Sequence, residues 1–196
     1  MTKLLPAVQL ILCCLLVVSS QASSQTPPET YSVPEAYEIY ATLLPAQWPV
    51  TEAHTSKMII RAETASYEMC LKPEGESVAV VGPAIANFLE VNKQTWLLQR
   101  AIPMDLPYEF LFKKELEAIF ADGPGGWQGF YAKYPDSGGF NEVSAVGFNA
   151  DKTVAVVYVA HSCGGLCGGG SFYVLQKREG KWQSLKWKGS ECTWVS

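Results

Sequence analysis

The C-terminal third of the chain constrains the fold more than any other segment. Four β-rich runs, 142–149 (EVSAVGFN), 153–161 (TVAVVYVAH), 171–177 (SFYVLQK) and 181–188 (KWQSLKWK), follow one another across short polar or glycine-containing connections. Parallel neighbours need a crossover of a dozen or more residues, so connections this short call for antiparallel pairing. The runs therefore predict a four-stranded antiparallel meander. In the last of them Trp182, Ser184, Lys186 and Lys188 fall on one face and Gln183, Leu185 and Trp187 on the other, as expected of a strand with one well-buried face.

The preceding half carries helical spacing. Pro34 fits the first position of a helix, where its missing N–H costs nothing, and Tyr37, Tyr40, Ala41 and Leu44 then share one face until Pro45 and Pro49 stop it. Ile85, Phe88 and Leu89 predict a second helix after Gly82-Pro83. Leu111, Phe112, Leu116, Ile119 and Phe120 predict a third over 109–120, closed by Asp122, Gly123 and Pro124. Trp127, Phe130, Tyr131 and Tyr134 predict a short aromatic-faced helix ended by Pro135, and a stripe at that spacing reads as core before it reads as a ligand site. The runs 57–63 (KMIIRAE) and 95–100 read as short strands. N-terminal helices packed on a C-terminal four-stranded antiparallel meander make an α+β fold.

Residues 1–22 read as a signal peptide: Lys3, an apolar run over 10–18, and the small-x-small site Ser20-Gln21-Ala22. That run is too short to cross a bilayer of about 30 Å, and no later stretch approaches about 20 uninterrupted apolar residues, so no membrane span is expected after cleavage. Cys13 follows Leu12 rather than a small residue, which disfavours lipidation. Residues 23–33 read as a flexible leader and 34–196 as one domain, the size a single core can support. An apolar content of 48% with 12% aromatics belongs to a folded chain. The net charge of -4, or -5 once Lys3 is removed, supplies no basic stripe for nucleic acid. The expected location is periplasmic or secreted.

Loss of the head reduces six cysteines to four, Cys70, Cys163, Cys167 and Cys192. An even number in an oxidising compartment favours two disulfides, with three possible pairings. The segment His161-Ser162-Cys163-Gly164-Gly165-Leu166-Cys167-Gly168-Gly169-Gly170 lies between two predicted strands, so Cys163 and Cys167 flank a three-residue hairpin loop at about 5.5 Å between Cα atoms, within disulfide range. Cys70 and Cys192 would then pair by default. A sharper alternative makes His161, Cys163 and Cys167 ligands of a metal ion, with a fourth position open or filled by Cys192 or Cys70. Another makes the cysteine pair a redox couple, although C-x-x-x-C on a hairpin lacks the helix dipole that stabilises a thiolate. Gly164, Gly165, Gly168, Gly169 and Gly170 could cradle an anion, but no phosphate-loop signature is present, and glycine here reads as positive φ and close packing.

Asp136-Ser137-Gly138-Gly139 looks like the nucleophile loop of chymotrypsin-like serine proteases, with His54 and Asp105 in the right order. His54 and Ser137 stand far closer than the roughly 140 residues of that template, so the segment reads as a turn. Glu115 and Glu117 read as solvated helix residues rather than a glycosidase pair. No H-E-x-x-H, G-x-S-x-G or dinucleotide fingerprint occurs, and no cofactor is expected.

The string Ser144-Ala145-Val146-Gly147-Phe148-Asn149, the strand to His161, the C-G-G-L-C-G loop and Gly180-Lys181-Trp182 resembles a group of exported bacterial proteins, over about 131–182. That resemblance implies a shared role for the loop and brings no activity with it. The order of helices then meander is similar to cystatin-like and NTF2-like cone folds, which host binding modules and enzymes alike. The function expected is non-enzymatic binding of a small ligand or an envelope protein. The competing expectation is a thiol-redox or metal protein using His161, Cys163 and Cys167.

Overall fold

The computed structural model describes residues 27–47, 56–121 and 123–196. The signal-like head, His54, Pro49 and Asp122 lie outside the described residues. The longest strands, β6 (Val154–Gly164) and β7 (Cys167–Arg178), pair antiparallel from Val154 opposite Gln176 to Gly164 opposite Cys167. Every residue of β6 from Val154 to His161 is buried. Val154, Val156, Tyr158 and Ala160 belong to one core, Ala155, Val157 and Val159 to another. A strand that is apolar on both faces has to be covered on both, and helices do so here.

Helix α1 (Pro34–Gln47) covers one face, where Ile39, Tyr40 and Leu44 are fully buried. On the other face α2 (Ser77–Val91) sets Val81, Ala84 and Phe88 against Val154, Val156 and Phe172. Farther along the sheet lie α3 (Lys113–Ile119) and α4 (Gly126–Lys133), in contact with each other. There Phe130 and Tyr134 join Ile59, Leu111 and Phe140 in a third core, and the Trp127 ring stacks on Phe140 at 5.8 Å. The aromatic stripe of α4 is packing.

The sheet corrects the predicted four-stranded antiparallel meander. It is mixed and eight-stranded, ordered β10 (Thr193–Val195), β7, β6, β4 (Phe140–Val143), β1 (Met58–Arg61) and β3 (Tyr108–Leu111). In addition β5 (Gly147–Phe148) pairs with β6, and β8 (Lys181–Ser184) with β7. Strand β1 runs parallel to both β3 and β4. Its Met58, Ile59 and Ile60 are all buried, the continuous apolar run of an interior parallel strand rather than of a peripheral one.

Residues 109–111, expected to open a helix, belong to β3, and α3 starts only at Lys113. The apparent helical register of Leu111, Phe112 and Leu116 spans a strand-to-helix junction, and Phe112 is exposed. Run 142–149 divides between β4 and β5, and of run 95–100 only Leu97 forms bridges, with Thr30 and Glu63. Helices interleaved with parallel strands also depart from the cystatin-like and NTF2-like cones, whose sheets are antiparallel. A separate pair, β2 (Lys72–Pro73) with β9 (Gly189–Ser190), sits outside the main sheet. No helix among the described residues is long and apolar enough to cross a membrane.

Beyond β4, no strand among the described residues pairs with the outer side of the chain from Ser144 to Phe148, and side chains take the place of one. Tyr40 Oη donates to the Ser144 carbonyl at 2.7 Å. The Asn92 amide donates to the Ala145 carbonyl and accepts its N–H, each at 3.0 Å. Tyr31 Oη accepts the Val146 N–H at 2.9 Å, and Asn87 Oδ1 accepts the Phe148 N–H at 2.8 Å. Part of the stretch read as leader thus contributes a buried tyrosine to the core. On the other face of β5, Gly147 lets α2 rest on bare backbone: a Cβ there would stand 2.3 Å from Phe88 N and 2.5 Å from the Ala84 carbonyl oxygen.

Two outcomes follow from this packing. Gly147→Ala should cost about 3 kcal/mol in urea unfolding or prevent folding, because backbone rather than a flexible side chain fills the space. Burial holds the Tyr31, Tyr37 and Tyr40 phenols above their ordinary pKa of about 10. The folded state therefore keeps protons that the unfolded state releases, so stability is intact below about pH 10 and falls as the pH rises beyond it. Urea midpoints between pH 8 and about 11 should show that decline, with a shallower slope in Tyr40→Phe.

Candidate functional site

Strands β6 and β7 turn over Gly165 and Leu166. The register shifts between Ser162 and Gly164, so Cys163 is a bulge residue and Gly164, not Cys163, pairs with Cys167. The bulge still brings the Cys163 and Cys167 Cα atoms to 5.0 Å, and the two are joined by a disulfide. Cys70 and Cys192 form the other bridge, 122 residues apart, tying the segment before α2 to the chain end.

The glycine run serves packing. None of Gly164, Gly165, Gly168, Gly169 or Gly170 is among the glycines with positive φ. A Cβ on Gly170 would meet Tyr158 Oη at 2.3 Å and Trp194 Nε1 at 2.5 Å, and one on Gly168 the His161 carbonyl oxygen at 2.9 Å. Bare backbone here lets the Trp194 indole of β10 lie over β7, where its Nε1–H donates to Tyr158 Oη at 2.6 Å. Gly165 meets open space, and Leu166 at the tip is 90% exposed.

His161 is buried. Its Nε2 donates to the Gly138 carbonyl at 3.0 Å, and Nδ1 lies 3.1 Å from Asn141 Oδ1. Burial pushes the imidazole below its ordinary pKa, with the Gly138 carbonyl opposing. Ser137 is buried too, its Oγ donating to the Tyr134 carbonyl at 2.8 Å, so 136–139 is a turn that anchors His161. The alternative ligand set is not assembled: Cys163 and Cys167 are bonded to each other. Among the described residues no three of His, Cys, Asp and Glu gather where they could hold a metal ion. Glu115 accepts from Tyr134 Oη and pairs with Lys133, while Glu117 stands 3.8 Å from Lys113.

One cavity lies along the outer edge of β5, where no strand among the described residues pairs with it. It has a volume of about 430 Å³ and walls from Tyr31, Val33, Val91, Trp96, Val146 and Phe148. The Tyr31 and Trp96 rings meet at 5.8 Å, tilted by 49°. The polar atoms of this wall are spent on the protein itself. Tyr31 Oη serves Val146, and Trp96 Nε1 donates to the Val91 carbonyl at 2.7 Å. At the rim Lys152 pairs with Glu35 at 2.9 Å and lies over the Phe148 ring, and its hydrogen bond holds the Glu35 carboxyl below its usual range.

A second, wider cleft of about 1050 Å³ opens at the carboxyl ends of β1 and β3, near Arg61, Glu63, Lys113 and Lys114. Part of its charge is answered within the protein, while Arg61 Nε is buried without a hydrogen-bond partner among the described residues. Arg61 pairs with Glu142 at 2.6 Å, and both Glu63 carboxylate oxygens accept the Lys113 N–H, at 3.0 and 3.2 Å. A pocket of a few hundred Å³ with apolar walls and few polar groups is the better small-molecule site.

The cavity residues carry little mark in the sequence. Tyr31 falls in a stretch with leader composition, Asn87 and Lys152 are ordinary surface types, and Trp96 belongs to a run read as a strand. The nearest signal is the aromatic richness of the chain. Comparison with protein-family models, with curated proteins and with solved structures finds no match.

The two bridges should differ in weight, since the longer closed loop removes more freedom from the unfolded chain. Urea unfolding of Cys70→Ser/Cys192→Ser should show a loss of about 5 kcal/mol, and of Cys163→Ser/Cys167→Ser about 2 kcal/mol.

Proposed function

We propose that the protein is an exported binding module without catalytic chemistry, whose small-molecule ligand occupies the cavity beside β5. The observation that carries this reading is the cavity's make-up: about 430 Å³, walled by Tyr31, Trp96, Phe148 and three valines, with the polar atoms of Tyr31 and Trp96 already paired within the protein. Such a wall rewards an apolar body with desolvation and asks for few polar contacts in return. The signal-like head and the two disulfides support an oxidising compartment outside the cytoplasm.

The test fills the site. Val91 is half-buried on the wall at the end of α2, so Val91→Phe should occupy the space with little strain on the core. Fluorescence anisotropy of 2-naphthol should report binding to the wild type and at least about tenfold weaker binding to Val91→Phe, while a control, Val78→Phe on the exposed face of α2, binds as the wild type does. Equal binding by all three proteins would count against the cavity.

A further inference from the structure

From the same cavity, and resting on the reading above, we infer that the ligand is an uncharged molecule, one or two rings in size, bearing an oxygen acceptor for the side-chain N–H of Asn87. The space of about 430 Å³ corresponds to about fourteen waters' share of liquid volume, ample for a molecule of one or two rings.

The polar inventory of the lining sets the ligand's chemistry. Asn149 is used up: its Oδ1 accepts the N–H groups of Thr153 and Val154 at 2.9 and 2.8 Å, and its Nδ2 donates to Thr153 Oγ1 at 3.1 Å. Asn87 is half used. Its Oδ1 is committed to the Phe148 N–H, which fixes the orientation of the amide, and no hydrogen bond among the described residues engages its Nδ2. The Thr30 and Ser32 hydroxyls also line the cavity, on exposed residues at its mouth. The half-buried amide thus offers a donor that no acceptor among the described residues takes, and a ligand oxygen can take it in place of water.

Charge decides the rest. Among the described residues Lys152 is the one cation lining the cavity, and its ammonium is met by Glu35 at 2.9 Å. A carboxylate brought to Lys152 would face Glu35, and an ammonium brought to Glu35 would face Lys152. A carboxylate would lose hydration against the aromatic wall with Lys152 already paired, and an ammonium would find only Glu35 Oε2 unpaired, a buried oxygen on a residue outside the lining. A neutral acceptor loses less and finds the Asn87 N–H.

Four matched probes separate the possibilities: 1-indanone, indane, 1-indanecarboxylate and 2-aminoindane, each titrated into uniformly ¹⁵N-labelled protein. The Trp96 indole N–H and the Asn87 side-chain amide are the reporters. Indanone should bind about tenfold tighter than indane, with the two charged probes weaker than indanone, and it should shift the Asn87 amide resonances. In Asn87→Asp a carboxylate oxygen still accepts the Phe148 N–H but the donor is gone, and the advantage of indanone over indane should vanish. If indane or a charged probe binds the wild type as well as indanone does, the chemical class is wrong and the cavity reading stands. If none of the four moves either reporter at its solubility limit, the cavity reading itself falls. The wild-type series decides the matter even if Asn87→Asp does not fold.

Discussion

Strand β6 cannot face water on either side, and the rest of the architecture answers to that. Its seven consecutive apolar residues from Val154 to Ala160 are buried alternately in two cores. One face demands α1, with its Ile39, Tyr40 and Leu44. The other demands α2, brought so close that Gly147 meets the helix backbone. Full burial of each such side chain contributes on the order of 1.5–3 kcal/mol, so a sheet with one solvated face would leave several of these contributions unrealised.

Where the sheet is incomplete, side chains finish it. The backbone from Ser144 to Phe148 would present unpaired groups on its outer edge, and buried unpaired groups are costly. Tyr31, Tyr40, Asn87 and Asn92 satisfy them from one segment and two helices. Side chains are bulkier and less regular than a strand, so the substitution leaves space between them. The apolar cavity is that space, and the Asn87 amide, with one end bound to the edge, is the group left with a spare donor.

At the far end of the central hairpin the same economy of space applies to the glycines. Three consecutive residues without side chains let Trp194 and Tyr158 meet across β7, and the adjacent bridge closes the turn. His161, beside this loop in sequence, faces the turn at Gly138 and Asn141 rather than the sulfurs.

Much of the local structure was legible from spacing alone. The faces of α1 and α4, the β6–β7 hairpin and the pairing of Cys163 with Cys167 follow from interactions between residues close in sequence, where helical and strand periods leave a visible mark. The assembly of the sheet did not. Whether 58–61 lies at an edge or between two parallel strands depends on partners about 50 and 80 residues away, and Leu111 and Phe112 look like a helix face until β1 claims Leu111. The cavity was less legible still. Tyr31, Asn87, Trp96 and Lys152 are scattered along the chain, share no period, and become neighbours along the edge of β5 that no strand among the described residues covers. Residue types and their periods marked most of the elements and the place of the staple; the long-range pairing of strands decided how many layers the protein has and where it leaves room for a ligand.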